Sequence, residues 1–296
     1  MNMRQAFAGT VLELLAEDER LAVLLCDIGV WGFRQGFADH PGRVLNIGIL
    51  EQATMGVAAG MSAAGLVPVV HSIAPFIVER AFEQLKIDFC YQGLGGNFVS
   101  VGASHDYAAL GCTHHCPGDV GALKNLPGME IVLPGCGEEF ASLFRQAYAN
   151  GHPTYFRLSE TGNGATQPVE FGRMLVLRRG GKATVLALGP MLEPALAACE
   201  GQDVTLLYAT TVVPFDAATL AANCPSGKVL LCEPYFGGAL APDILKALYP
   251  RPVLVDFAGQ DTDFSRNYGK AREHDAILGL DADGIRQRLV RLIHAQ

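Results

Sequence analysis

Glu51 stands in the run Asn46-Ile-Gly-Ile-Leu-Glu51-Gln52-Ala-Thr-Met-Gly56-Val-Ala-Ala-Gly60, a lone carboxylate among apolar and small residues. A carboxylate in such surroundings either meets a partner or holds its proton more tightly, and both outcomes are common at functional sites. A glutamate opening a helix is also favoured by the helix dipole alone, so residue type leaves a chemical and a structural role open. The densest polar cluster is His105-Asp106-Tyr107-Ala-Ala-Leu-Gly111-Cys112-Thr113-His114-His115-Cys116-Pro117-Gly118-Asp119. Histidine exchanges protons near neutral pH, which suits proton transfer to and from substrate oxygens. Cys112, His114, His115 and Cys116 also offer zinc donors, but no second Cys/His pair follows at structural-zinc spacing. Asp27, in Cys26-Asp27-Ile28-Gly29, ends an apolar run and either faces a ligand or caps a turn.

The elements that must position these residues alternate in type. Phe7, Val11, Leu14 and Leu15 share a helical face, and Ala22–Cys26 reads as a buried strand. The short apolar run before Glu51 reads as a strand that delivers the carboxylate to a small-residue helix. Val67–His71, Phe98–Gly102, Glu130–Leu133 and Thr154–Leu158 are further strands. Ser159–Glu170 is polar, Gly-rich and contains a proline, as linkers are. Beyond it the alternation restarts with strands at Ala183–Leu188, Val204–Tyr208, Lys228–Cys232 and Val253–Asp256, and a closing helix carries Ile285, Leu289 and Leu292. Continuous apolar strands separated by helices imply an α/β fold of two domains, each a mostly parallel sheet with helices on both faces. The expected boundaries are 1–160, a linker over 161–178, and 179–296.

The chain has 296 residues, 50% hydrophobic and 18% charged, ample for two cores. A net charge of −8 argues against nucleic acid and anionic membrane surfaces. No apolar run approaches membrane-spanning length, and the first residues lack the pattern of a signal peptide. Eight scattered cysteines read as reduced thiols, which places the protein in the cytoplasm.

The Glu51 segment resembles the "I-x-E-Q-x-x-x-x-x-A-A-G" block of the transketolase family, and the order of elements resembles its pyrimidine-binding and C-terminal domains over essentially the whole chain. The resemblance implies thiamine diphosphate as cofactor. In the family this glutamate hydrogen-bonds N1′ of the aminopyrimidine and favours the imino tautomer that takes the proton from thiazolium C2. Gly111-Cys112-Thr113-His114 is similar to the family's "G-P-T-H-Q" loop, whose histidine shuttles substrate protons, so His114 takes that role by resemblance. Asp27 would lie near the cofactor, with Ile28 as the apolar wedge behind it. Phe76, or its neighbour Ile77, would stack on the pyrimidine at the start of the helix carrying Arg80. Arg4, His71, His105 and His115 fall where relatives contact substrate.

Two departures bear on substrate. Relatives acting on phosphosugars carry arginine where Glu160 stands, and Glu repels a phosphate dianion. Their phosphate-binding serine after the Asp27 strand is replaced by Trp31 or its neighbour. Arg157 would compensate, although strand alternation directs it away from Glu160. Alternatively, Glu160 belongs to the linker and touches nothing. The family's Gly-Asp-Gly…Asn motif, which holds Mg²⁺ and the diphosphate, is absent. The resemblance therefore implies a partner subunit that binds Mg²⁺, in an α₂β₂ assembly. The implied activity is transfer of a two-carbon ketol unit from a ketose to an acceptor. The alternatives are acyl or ketol transfer to a carrier protein or lipoyl group, and a non-catalytic interaction subunit.

Overall fold

The structure is a computed structural model and describes residues 2–295. Twelve strands form two sheets: β1 Leu21–Leu25, β2 Val44–Asn46, β3 Val67–Ile73, β4 Gly96–Val101, β5 Glu130–Val132, β6 Pro153–Arg157, β7 Met174–Arg178, β8 Thr184–Leu188, β9 Thr205–Ala209, β10 Thr211–Val213, β11 Lys228–Phe236 and β12 Leu254–Gln260. The first sheet has the order β10-β5-β6-β4-β3-β1-β2, the second β12-β11-β8-β9-β7. Every pairing is parallel except β10 with β5 and β7 with β9. β1, β4, β6, β8 and β9 are buried along their whole length, as strands covered on both faces must be. Two apolar layers run through the molecule, one containing Phe7, Val23, Phe140 and Val185, the other Leu24, Val70, Tyr155 and Leu186. Each is continuous across both sheets.

The first helix, Met3–Glu17, shows how local chemistry sets an element. Asn2 caps it, accepting from the Gln5 amide at 2.8 Å, while the Gln5 side chain returns to the Asn2 amide. Such a capping box is worth about 1 kcal/mol. Phe7, Val11, Leu14 and Leu15 then bury the expected face.

The two-sheet α/β architecture agrees with the sequence expectation; three details differ. The stretch 161–178, expected to be linker, supplies β7, which pairs antiparallel with β9. β10, from the second half, joins the first sheet beside β5. Before Glu51, the strand lies at Val44–Asn46, and residues 47–50 form a loop turned by Gly48 at φ 84°. All eight cysteines are free thiols. Among the described residues no helix is long and apolar enough to cross a membrane.

Candidate active site

Parallel sheets offer ligands the carboxyl ends of their strands, and Asp27, Glu51 and Arg80 follow β1, β2 and β3 there. Glu51 opens the helix Glu51–Ala63 and is 1% exposed. Arg80 Nη1 lies 2.6 Å from its Oε2, and the Ser72 hydroxyl donates to its Oε1 at 3.3 Å. Arg80 belongs to a π-helical turn, Phe76–Arg80, that follows β3. Its guanidinium lies 4.0 Å from the centre of the Phe76 ring. Wide turns of this kind are frequent at functional sites. Phe76 is half-buried, whereas Ile77 is fully buried, so Phe76 is the ring at hand for stacking.

His114 meets Phe76 edge-on, with ring centroids 5.4 Å apart. Its Nδ1 lies 2.9 Å from the Thr113 hydroxyl, which leaves Nε2 without a protein partner among the described residues. Tyr107 also meets His114 edge-on, with ring centroids 6.4 Å apart. Asp27 follows β1 with φ 61°, an unusual conformation for a non-glycine residue. Asn46 holds it from both sides, accepting from the Asp27 amide at 3.0 Å and donating to its carboxylate at 2.8 Å. Ile28, beside it, packs partly against the core.

Arg4 and Glu160 line one cavity of about 250 Å³ together with Tyr107 and Leu158. Burial raises the Glu160 carboxyl above its usual range, and the nearby Arg4 charge opposes that shift. Glu160 thus stands at the edge of a cavity that Arg4 also lines. A contiguous path runs from Glu51 through Arg80, Phe76, His114 and Tyr107 to this cavity.

Four expected contact residues lie elsewhere. Arg157 is 2% exposed, its Nε donating to Asp119 at 2.7 Å and its Nη2 to Ser104 at 2.6 Å. Its charge is already neutralised inside the protein, so it does not compensate for Glu160. His71 is fully buried; its Nδ1 donates to the Val99 carbonyl at 2.7 Å, and burial lowers its pKa to about 4. Gly29, at φ +82°, lies so close over this ring that a Cβ there would come within 2.6 Å of it. His105 and His115 pack with His274 instead of with His114: the His105 ring stacks on His274 at 4.6 Å and meets His115 edge-on at 4.6 Å. Burial lowers the pKa of His105 to about 4 and that of His115 in the same direction. As for the zinc donors, Cys112 is exposed and Cys116 is buried with its thiol toward Glu79 at 3.7 Å. Among the described residues no three His, Cys, Asp or Glu side chains are grouped to hold a metal.

Sequence reasoning missed Ser72 and Asn46, the partners of Glu51 and Asp27. Ser72 adjoins His71 and Asn46 opens the run that carries Glu51, so polar residues at strand ends were the available signal. Nothing in the sequence signals that His274 meets His105.

Residues 1–163 match the family described as transketolase, pyrimidine binding domain. The chain belongs to the transketolase family. It is 38% identical over 287 residues to an uncharacterized 33.6 kDa protein in the fasciation locus of Rhodococcoides fascians, covering 95% of this chain and 91% of that one. It is 31% identical over 242 residues to the 6-deoxy-6-sulfo-D-fructose transketolase subunit SqwH of a Clostridium strain, covering 78% and 75% of the two chains. A split-gene transketolase, solved as an inactive β4 tetramer, superposes with a TM-score of 0.88 at 27% identity over 99% of this chain and 98% of that one.

The residues present fit a thiamine diphosphate pyrimidine ring. Glu51 is buried and, among the described residues, held by the side chains of Arg80 and Ser72, beside a half-buried aromatic ring and the exposed apolar Leu50 and Ile49. A planar, nitrogen-bearing heterocycle asks for that combination of acceptor and apolar surface.

Proposed function

We propose that this chain is the pyrimidine-domain subunit of a two-component transketolase that moves a two-carbon ketol unit from a ketose, or ketose phosphate, to an acceptor. The observation that carries the reading is Glu51, buried yet partnered by the exchangeable side chains of Arg80 and Ser72. Thiamine diphosphate, when bound, supplies the nucleophilic carbon and the electron sink for carbon–carbon cleavage. Glu51 would share a proton with the aminopyrimidine N1′, with Arg80 and Ser72 fixing the direction of its carboxyl group. Phe76 would fix the plane of that ring, and Asp27 and Ile28 would bound it from the β1 side. His114, steadied through Nδ1 by Thr113, would move substrate protons at Nε2. Arg4 and Glu160 would meet the far end of the substrate; their opposite charges suit a hydroxyl-rich end better than a dianion. Mg²⁺ and the diphosphate would be held by the partner subunit in an α₂β₂ assembly in the cytoplasm. The SqwH likeness to a sugar-acting transketolase subunit favours ketol transfer between sugars.

Reconstitution with the cognate diphosphate-binding subunit tests this. We expect aldose release from the ketose and ketol transfer to the acceptor only when both chains, thiamine diphosphate and Mg²⁺ are present, and a loss of about 10³-fold in Glu51→Gln. Undiminished turnover by Glu51→Gln would overturn it.

A further inference from the structure

Gly111 joins two tight turns in the polar cluster that carries His114. Ala108–Leu110 forms the first turn and Cys112–His114 the second. The Gly111 amide donates to the Ala108 carbonyl at 3.1 Å, and the Gly111 carbonyl accepts from the His114 amide at 3.0 Å. Its φ of 74° lies where a side chain is disfavoured. The first turn starts beside Tyr107 and the second ends on His114, the two rings that meet on the path to the Arg4–Glu160 cavity. A tilt at Gly111 therefore re-aims the His114 imidazole.

Tyr268, from the second half of the chain, lies on this joint. A Cβ on Gly111 would come within 2.8 Å of the Tyr268 Cε1, 3.2 Å of its Cζ and 3.3 Å of its hydroxyl. The glycine is thus required twice, by its backbone angle and by the ring against it. Yet Tyr268 is 69% exposed, so it adds little to the core. Open space of about 390 Å³ beside Gly111 and Cys112, bounded by residues 264–268, leaves room for the joint to shift once the ring is gone. The same segment touches the cluster a second time. The Ser265 hydroxyl lies 3.1 Å from His274 Nδ1, and the His274 ring stacks on His105 at 4.6 Å and meets His115, the neighbour of His114, edge-on at 5.9 Å.

We propose that Tyr268 is a positioning residue for His114: its ring, held against Gly111, fixes the turn that aims the imidazole at the reacting oxygens. A group that transfers protons must meet its partner within hydrogen-bond reach, so a small error in its direction is costly. The second half of the chain thereby acts on the chemistry without touching substrate. The consequence for rate rests on the ketol-transfer reading, whereas the hold on His114 does not.

Steady-state kinetics of the full chain reconstituted with its partner subunit, and histidine NMR of the same complex, test the proposal. Tyr268→Ala should lower kcat about tenfold while KM for the donor ketose stays within about twofold, with the unfolding midpoint close to that of the parent. Tyr268→Phe, which keeps the ring, should restore kcat. In a His114→Ala background, Tyr268→Ala should cause no further loss, because the ring acts through His114. The His114 Cε1–H resonance, assigned through a His114→Gln variant, should shift or broaden in Tyr268→Ala and return in Tyr268→Phe. Full kcat in Tyr268→Ala, losses that multiply in the double variant, or an unmoved His114 resonance would overturn the proposal. A parent complex without ketol transfer, whose His114 resonance still moves in Tyr268→Ala, would sink the ketol-transfer reading and leave the hold on His114 standing.

Discussion

Glu51 and Glu233 are both carboxylates removed from water, at 1% and 0% exposure, and they are satisfied in opposite ways. Glu51 meets side chains: Arg80, itself 37% exposed, and Ser72. Glu233, in β11, accepts from the backbone amides of Gly238 and Leu240, and burial raises its pKa to about 7. Glu139 repeats the second pattern, accepting from the amides of Gly135 and Gln167 and from the Tyr208 hydroxyl. Backbone donors cannot move without refolding the turn, so such an acid is locked into structure. Side-chain donors can swing aside and let a ligand take their place. The nature of the partners, more than the depth of burial, separates the acid at the candidate site from the acids that hold turns together.

The largest expected effect sharpens this contrast. Glu51→Gln should lose about 10³-fold in turnover of the reconstituted enzyme with little change in unfolding midpoint. A variant that instead unfolds easily and keeps its activity would reverse the assignment. Next, His114→Ala should lower turnover about 10²-fold. Loss of binding with turnover intact would make His114 a substrate contact and not a proton carrier. Third, Glu233→Ala leaves two buried amides unpaired and should cost about 1–3 kcal/mol of stability. Denaturant unfolding measures this, with activity per folded molecule expected to stay the same.

The smallest effect concerns pH. Asp106 titrates near 7 in the fold against 3.8 for the ordinary side chain. Between those values the folded state keeps a proton that the unfolded chain has lost, so stability falls as pH rises from about 4 to 7. Glu233 and Asp275 act with the same sign. His71 and His105, near 4 in the fold against 6.5, act with the opposite sign, and their contribution is lost as pH falls from 6.5 toward 4. Asp106→Asn should therefore gain midpoint relative to the parent as pH rises from 5 to 8, by a few degrees. A difference that stays constant across that range would remove Asp106 from the account.

Much of this was legible in residue order. The strands announced themselves as apolar runs, Glu51 stood out as a carboxylate among apolar residues, and His114 stood out through its likeness to a family loop. What residue order could not give was partnership. His71 and Arg157 were expected near substrate, yet each occupies a buried position within a strand, β3 and β6, where side chains meet packing and not solvent. β7 and β10 escaped notice because they are edge strands, defined by pairing with distant residues and not by their own pattern. The 3.6-residue period likewise hid the wide turns over Phe76–Arg80 and Leu85–Tyr91.

β10 has a consequence for how freely the two halves can be exchanged. Residues Thr211–Val213 lie well past the first half in sequence, yet they close the edge of its sheet against β5. Removal of everything after residue 163 would uncover the backbone donors and acceptors of β5, an open template for pairing with another molecule. Such a fragment should be sticky however sound its own core. A recombinant that takes its second half from a relative would inherit, along with that half, the last strand of a sheet it did not bring.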